Sequence, residues 1–170
     1  MRPQARRIAV AILALAATFA VLFFAQRLLF ATQTQAPLKQ RLLTVPQVES
    51  VSLELSASPQ VVLVTLGRVA DLHETAQTLT EKIKAFAPEA TLRVRGHADA
   101  TLSSAEEDLS FPVQQGLASG QFVEMRQEVL QEAMKLQVTA RIYIDANDVD
   151  LALYDRGHAA YYIYPRGGKS

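Results

Sequence analysis

ARIYIDANDVDLALYDRGHAAYYIY, residues 140–164, holds three alternating apolar runs separated by two short polar links. Ile142 and Ile144 share one side of the first run, and Val149, Leu151 and Leu153 share one side of the second. The third, Ala159 to Tyr164, is aromatic. A two-residue period of this kind marks strands that bury one face. The links AND and DRGH carry the Asn, Asp and Gly that tolerate hairpin backbone angles. Three consecutive antiparallel strands are therefore expected to close the chain, with an apolar face that other elements must cover.

Those elements lie upstream. Phe122, Met125, Val129, Ala133 and Leu136 recur at helical spacing, and Leu102, Ala105, Leu109, Val113 and Leu117 predict a second helix. Ser103 and Glu106 offer that second helix a cap, and Pro112 and Gly116 are expected to interrupt it. Thr91 to Gly96 reads as a strand with Leu92 and Val94 inward and Arg93 and Arg95 outward. Before it, Asp71 and Glu74 form a capping-box pair that opens a helix with Leu72, Ala76, Leu79, Ile83 and Phe86 on one stripe, ending before Pro88. Val48 to Ala57 alternates cleanly, and Ser58 and Pro59 turn the chain into Gln60 to Leu66, where VVLVTL is apolar on both faces, as in a central strand. The order is ββαβααβββ. It predicts an α+β domain of two layers, a mostly antiparallel sheet with helices on one face.

The N-terminal part has a different character. Ile8 to Ala25 reads IAVAILALAATFAVLFFA, without a charge and with Thr18 as its one polar side chain; apolar character resumes at Leu28 after Arg27. A helix needs about 20 residues to cross a hydrocarbon core of roughly 30 Å, so residues 8–30 suffice to span a bilayer. A signal peptide core is usually only about 7 to 15 residues, and cleavage after Ala31 would place bulky Leu29 where a small residue is preferred. An uncleaved anchor is the better reading. Arg2, Arg6 and Arg7 keep the N-terminus cytoplasmic by the positive-inside rule. The expected organisation is a cytoplasmic tip and anchor over 1–30, a Gln- and Pro-containing tether over 31–47, an extracytoplasmic domain over 48–166 and a tail over 167–170.

Charge follows the same division. The 170 residues carry 17 bases and 17 acids. Six bases and no acid fall within residues 1–41, leaving eleven bases against all seventeen acids beyond. An acidic outer domain gives no electrostatic footprint for nucleic acid. There is no cysteine, which removes disulfides and thiolate chemistry. Composition, 49% apolar and 20% charged, is that of a folded domain.

Chemistry-bearing motifs are few. Asp145, Asn147, Asp148 and Asp150 cluster as oxygen donors for a hard cation would, yet Asp150 stands where a calcium loop of the EF-hand type needs Gly, and Arg156 where it needs Glu. A plain hairpin turn is the first reading; Asp145, Asp148 and Asp150 remain as weak metal candidates. His73, His97 and His158 lack metal spacing, and His73 reads as a solvated residue in a first helical turn. No nucleophile elbow, phosphate loop, dinucleotide turn or zinc-protease motif occurs, so no catalytic or cofactor-binding residue is nominated.

Gly96, His97, Ala98 and Asp99 follow a strand directly, and this stretch resembles the strand-end GH(T/A)D segment of outer-membrane-protein-A-like peptidoglycan-binding domains. The preceding helix and Leu109-Ser110 match that family's order, so that the resemblance covers about 40 residues. It implies a cell-wall peptide ligand held through His97 and Asp99. The family's downstream arginine is missing here, since Phe111, Pro112, Val113 and Gln114 follow Ser110. A loop histidine and aspartate at a strand end is the competing reading.

All five tyrosines lie beyond residue 142. The alternation puts Tyr143 and Tyr154 on the open face of the closing strands beside Arg141, joined by Tyr162 and Tyr164 or by Tyr161 according to the register of the last strand. Tyrosine and arginine combine large contact area with polar tips, which suits them to a partner surface. The expected function is thus a single-pass, membrane-anchored interaction or scaffold protein, its partner another membrane or envelope protein or a second copy. A cell-wall-binding module and a hydrolase with dispersed carboxylates are the alternatives.

Overall fold

Hydrophobic pattern and caps account for most of the elements in the computed structural model, which describes residues 35–55 and 58–166 together with Leu15, Thr18, Phe19, Val21 and Leu22. The chain divides into two compact units, residues 1–38 and 39–170. The five single positions in the first unit have helical backbone, and Leu15, Phe19, Val21 and Leu22 are 60 to 67% exposed. Among the described residues no helix is long and apolar enough to cross a membrane; the expected span 8–30 lies outside them apart from those five positions.

Helix α1 (Ala36–Leu43) crosses the boundary between the units. It lies within the stretch expected to be a tether. Leu38 and Leu42, one turn apart, are fully buried, and Val45 behind them is nearly so, which explains why this segment is helical despite its polar composition. Arg41 lies 4.9 Å from the centre of the Phe86 ring.

Strands β1 (Val48–Glu54) and β2 (Val61–Leu66) form the expected antiparallel pair, with Val51 opposite Val64 and Leu53 opposite Val62. Helix α2 (Leu72–Lys84) starts where predicted, with the Asp71 carboxylate accepting from the Glu74 amide at 3.0 Å, and buries Leu72, Ala76, Leu79 and Ile83. Its crossover returns β3 (Thr91–Arg95) parallel to β2, Val62 beside Leu92 and Val64 beside Val94.

Helix α3 (Ala100–Ser119) is continuous through Pro112, where an interruption was expected. Its cap is Asp99, which accepts from the Leu102 amide at 2.9 Å, four residues ahead of the expected Ser103. Pro112 is buried with Leu109 and Val113 against the core, and that packing outweighs the missing backbone bond. Gly120 ends the helix in the left-handed region at φ 75°. Helix α4 (Phe122–Lys135) then lies against α3, because Gly116 has no side chain to hold Met125 away.

Strands β4 (Thr139–Ile144), β5 (Asp148–Asp155) and β6 (His158–Pro165) form the predicted meander, pairing Ile142 with Leu151 and Leu153 with Ala160. Two features differ from expectation. First, there are two three-stranded sheets, β1-β2-β3 and β4-β5-β6, instead of one. Among the described residues one antiparallel bridge joins them, His97 to Ala159, permitted by Gly96, where a Cβ would strike the Ala159 carbonyl. Second, helices cover both faces of the second sheet. Val149, Leu151, Leu153, Ala160, Tyr162 and Tyr164 pack with α3 and α4. The opposite face, with Asp150, Ala152 and Tyr154, is buried as well, because α2 and the loop before it lie over it.

The α3–α4 contact predicts a specific intolerance. At Gly116 a β-carbon would fall 2.5 Å from Met125 Sδ. Gly116→Val is expected to lower stability by about 1–3 kcal/mol through overpacking, read as a lower urea midpoint with unchanged slope. An unchanged midpoint would mean that the two helices separate at no cost.

Candidate functional site

The loop between β2 and α2 carries backbone groups that a strand would pair, and three side chains of the second sheet pair them instead. Tyr161 Oη accepts from the Val69 amide at 2.9 Å and donates to the Gly67 carbonyl at 2.8 Å. Tyr154 Oη donates to the Val69 carbonyl at 3.0 Å, and Arg141 donates to the Ala70 carbonyl at 2.6 Å. The two tyrosine rings meet edge to face, 6.1 Å apart. Burial pushes the Tyr154 phenol up to about 12 and raises that of Tyr161, so both hydroxyls stay protonated and able to donate.

Beyond this seam, α2 and the second sheet enclose a cleft of about 830 Å³. One stripe of α2, including His73, Gln77 and Lys84, forms one wall; Ala90 with β3 from Thr91 to Val94, and β6 from Tyr161 to Pro165, form the others, with Asp145, Asp148 and Asp150 at the end. His73 stacks on Tyr143 with ring centres 3.7 Å apart. Its Nδ1 shares a hydrogen bond of 2.8 Å with Asp150 Oδ2, and its Nε2 lies 4.0 Å from Asp145 Oδ2. Both ring nitrogens thus face carboxylates, and among the described residues the ring makes no hydrogen bond to a hydroxyl. The arrangement clamps α2 to the sheet.

The three aspartates differ in environment. The Asp148 amide, followed by the Asn147 amide, holds the Asp145 carboxyl below the usual carboxylate range against the opposing effect of burial. The β4–β5 turn around it is fastened by Arg166, which donates to the Asp145 carbonyl and, through its amide, to the Asn147 carbonyl. Burial raises Asp150, an effect that the His73 hydrogen bond partly offsets. Asp148 is raised by burial and by its neighbour Asp145, with His73 and Lys84 acting the other way. Its carboxylate has no hydrogen-bond donor among the described residues. No group of three or more His, Cys, Asp or Glu among the described residues is arranged to hold a metal ion.

The tyrosines expected on one surface are divided between two. Pairing of Ala152 with Tyr161 and Leu151 with Tyr162 fixes the register. Tyr143, Tyr154, Tyr161 and Arg141 therefore share the α2 side. Tyr162 and Tyr164 pack toward α3 and α4, where Tyr164 Oη donates to Glu106 at 3.3 Å. Of these rings Tyr143 is 49% exposed, whereas Tyr154 and Tyr161 are buried. His97 and Asp99 have partners within the domain. His97 Nε2 lies 2.5 Å from Glu49 Oε2, and Asp99 caps α3.

His73, expected in solvent, is instead paired with Asp150, and neither that pairing nor the role of Tyr161 is evident from spacing. The available signal is Asp150, an acid between Val149 and Leu151, with Ala152 and Tyr154 beyond it on the same side. Such an acid inside an apolar stretch of strand calls for a buried partner. No protein-family model, curated protein or solved structure matches the chain.

Removing the Tyr161 hydroxyl would leave the buried Val69 amide and Gly67 carbonyl unpaired, so Tyr161→Phe is expected to cost about 2–3 kcal/mol. Tyr162→Phe, which breaks no hydrogen bond, should stay within about 0.5 kcal/mol; equal losses in chemical denaturation would contradict the seam. A second expectation concerns pH. Asp148 has a raised folded-state pKa, so the folded chain binds protons more readily than the unfolded one, and its contribution declines as pH rises above the ordinary value of about 3.9. Asp148→Asn should therefore be more stable than wild type at pH 7, and this gain should disappear below the carboxylate range. A gain of the same size at every pH would show that the carboxylate's charge is not the cause.

Proposed function

We propose that the protein is a single-pass membrane protein whose domain lies outside the cell membrane and binds another membrane or envelope protein, or a second copy, without catalysing a reaction. The observation that carries this reading is the charge-free run Ile8–Ala25 preceded by Arg2, Arg6 and Arg7. Helical backbone and high exposure at Leu15, Phe19, Val21 and Leu22 suit side chains meant for lipid. On the domain, the binding role is supported by large apolar side chains left in water on the two long helices: Phe111 is 73% exposed, Val123 68% and Met134 71%. A cell-wall ligand at His97 and Asp99 would have to displace Glu49 from the first and the Leu102 amide from the second. Hydrolysis at the cleft would require His73 to leave Asp150. Binding of a protein requires neither.

Carbonate extraction of membranes, protease treatment of spheroplasts and crosslinking in native membranes test the parts separately. The full chain is expected in the carbonate pellet, its C-terminal domain cleaved by external protease, and crosslinked to a protein partner or a second copy. Release by carbonate would overturn the anchor, protection from external protease the orientation, and recovery of monomer alone with several reagents the interaction.

A further inference from the structure

The outer edge of the second sheet is bare. Its first strand, β4, is hydrogen-bonded among the described residues to one strand, β5. The Asp145 amide donates to the Asp148 carbonyl, so Thr139, Arg141 and Tyr143, in step with Asp145, also bond to β5, and the N–H and C=O groups of Ala140, Ile142 and Ile144 point the other way. Among the described residues nothing outside the strand bonds to these groups. Native edge strands are commonly guarded by a bulge, a proline or a lysine. β1 has an irregular register between Val48 and Ser50, whereas β4 is regular throughout and its sequence, TARIYI, holds no Pro, Lys or acid. Burial follows the same division: β5 is buried between its two end residues, while every residue of β4 is exposed or half-buried.

Helix α4 overhangs this edge. Met125 meets Gly116 and so faces α3, while Val129 and Ala133 belong to the core against the sheet. At about 100° per residue, Val123, Leu130 and Met134 fall on the side of α4 away from α3. α4 packs on β4, and α3 on β5 and β6, so that side lies beyond the sheet. Val123 and Met134 are accordingly left in water. A strand added to β4 lies about 4.8 Å further out, where these apolar side chains cover one of its faces. Charge says what its other face carries. Arg141 is exposed on the side of β4 opposite Ile142, Arg126 is exposed on α4 between Leu130 and Ala133, and neither belongs to an ion pair among the described residues. A second copy fits poorly, because pairing β4 with its twin would set two α4 helices over strands about 4.8 Å apart, when packed helices need about 8–10 Å. Resting on the reading of the domain as an interaction module, we propose that an extended segment of a partner protein, apolar on one face and bearing an aspartate or glutamate on the other, adds to β4 as a fourth strand. Ala140, Ile142 and Ile144 pair with its backbone, its apolar residues pack under Val123, Leu130 and Met134, and its acid meets Arg141.

The test uses the full chain in detergent micelles, the capped peptide Thr-Val-Glu-Val-Thr-Val-Thr and amide hydrogen exchange resolved by residue. The peptide is expected to slow exchange saturably at Ala140, Ile142 and Ile144 and to leave Arg141 and Tyr143, already bonded to β5, unchanged. Ala140→Pro removes one outward N–H and no bond to β5, and Met134→Glu alters an exposed position; each should weaken binding at least tenfold. Exchange of the peptide glutamate for lysine should weaken binding to the wild type at least tenfold, and Arg141→Glu should reverse that preference. Equal slowing at all five amides, binding indifferent to Ala140→Pro and Met134→Glu, or a charge preference that Arg141→Glu leaves in place overturns the proposal. Slowing that grows with protein concentration in the absence of peptide also overturns it, placing a second copy on the edge. If the edge stays unprotected while native-membrane crosslinks persist, strand addition fails and the interaction reading stands; if both are absent, both fail.

Discussion

The hydroxyl of Tyr161 is the pivot of the domain. It bonds two backbone groups of the loop leaving β2, Gly67 and Val69, from a strand more than ninety positions later in the chain. Both groups are buried, and a buried amide or carbonyl without a partner costs about 1–3 kcal/mol. The loop can therefore leave the first sheet without returning to water. Tyr154 and Arg141 extend the same seam to Val69 and Ala70. Together they fix where α2 begins, and hence which face of the second sheet it covers.

With α2 placed in this way, the second sheet is buried on both sides. The α3–α4 layer supplies the apolar core against Val149, Leu151 and Leu153. The α2 layer is narrower and more polar, fastened through His73 and Asp150 and stacked on Tyr143. A helix fastened over this face by a polar clamp and an aromatic stack leaves room beside it. The cleft occupies that room, between α2 and the strands β3 and β6. Asp148, whose burial disfavours its charge, sits at the mouth.

Much of this is legible in order and type. The meander, the opening hairpin, α2 with its Asp71 cap and the amphipathic α4 all follow from periods of two and 3.6 and from local capping chemistry. Local signals mislead at α3, where Pro112 and Gly116 read as breaks. Pro112 is tolerated because it is buried against the core, and Gly116 is useful because Met125 needs its space. They mislead again at α1, whose polar, proline-containing sequence hides Leu38 and Leu42 one turn apart. The tyrosines are recognisable as a group but not as two groups, since a one-residue change in the register of β6 exchanges its faces.

By itself the sequence determined the elements other than α1 and the unbroken length of α3, their order, the pairing within each hairpin and the contrast between a basic, apolar N-terminal segment and an acidic domain. These depend on neighbours within a turn or a strand, where spacing is enough. Only the tertiary structure decided that there are two sheets, that α2 covers the second one, that His73 meets Asp150 and that His97 bridges to Ala159. Each of these joins residues 62 to 94 positions apart. No local period encodes such contacts; they arise when buried polar groups find the partners that remain after the apolar faces have closed.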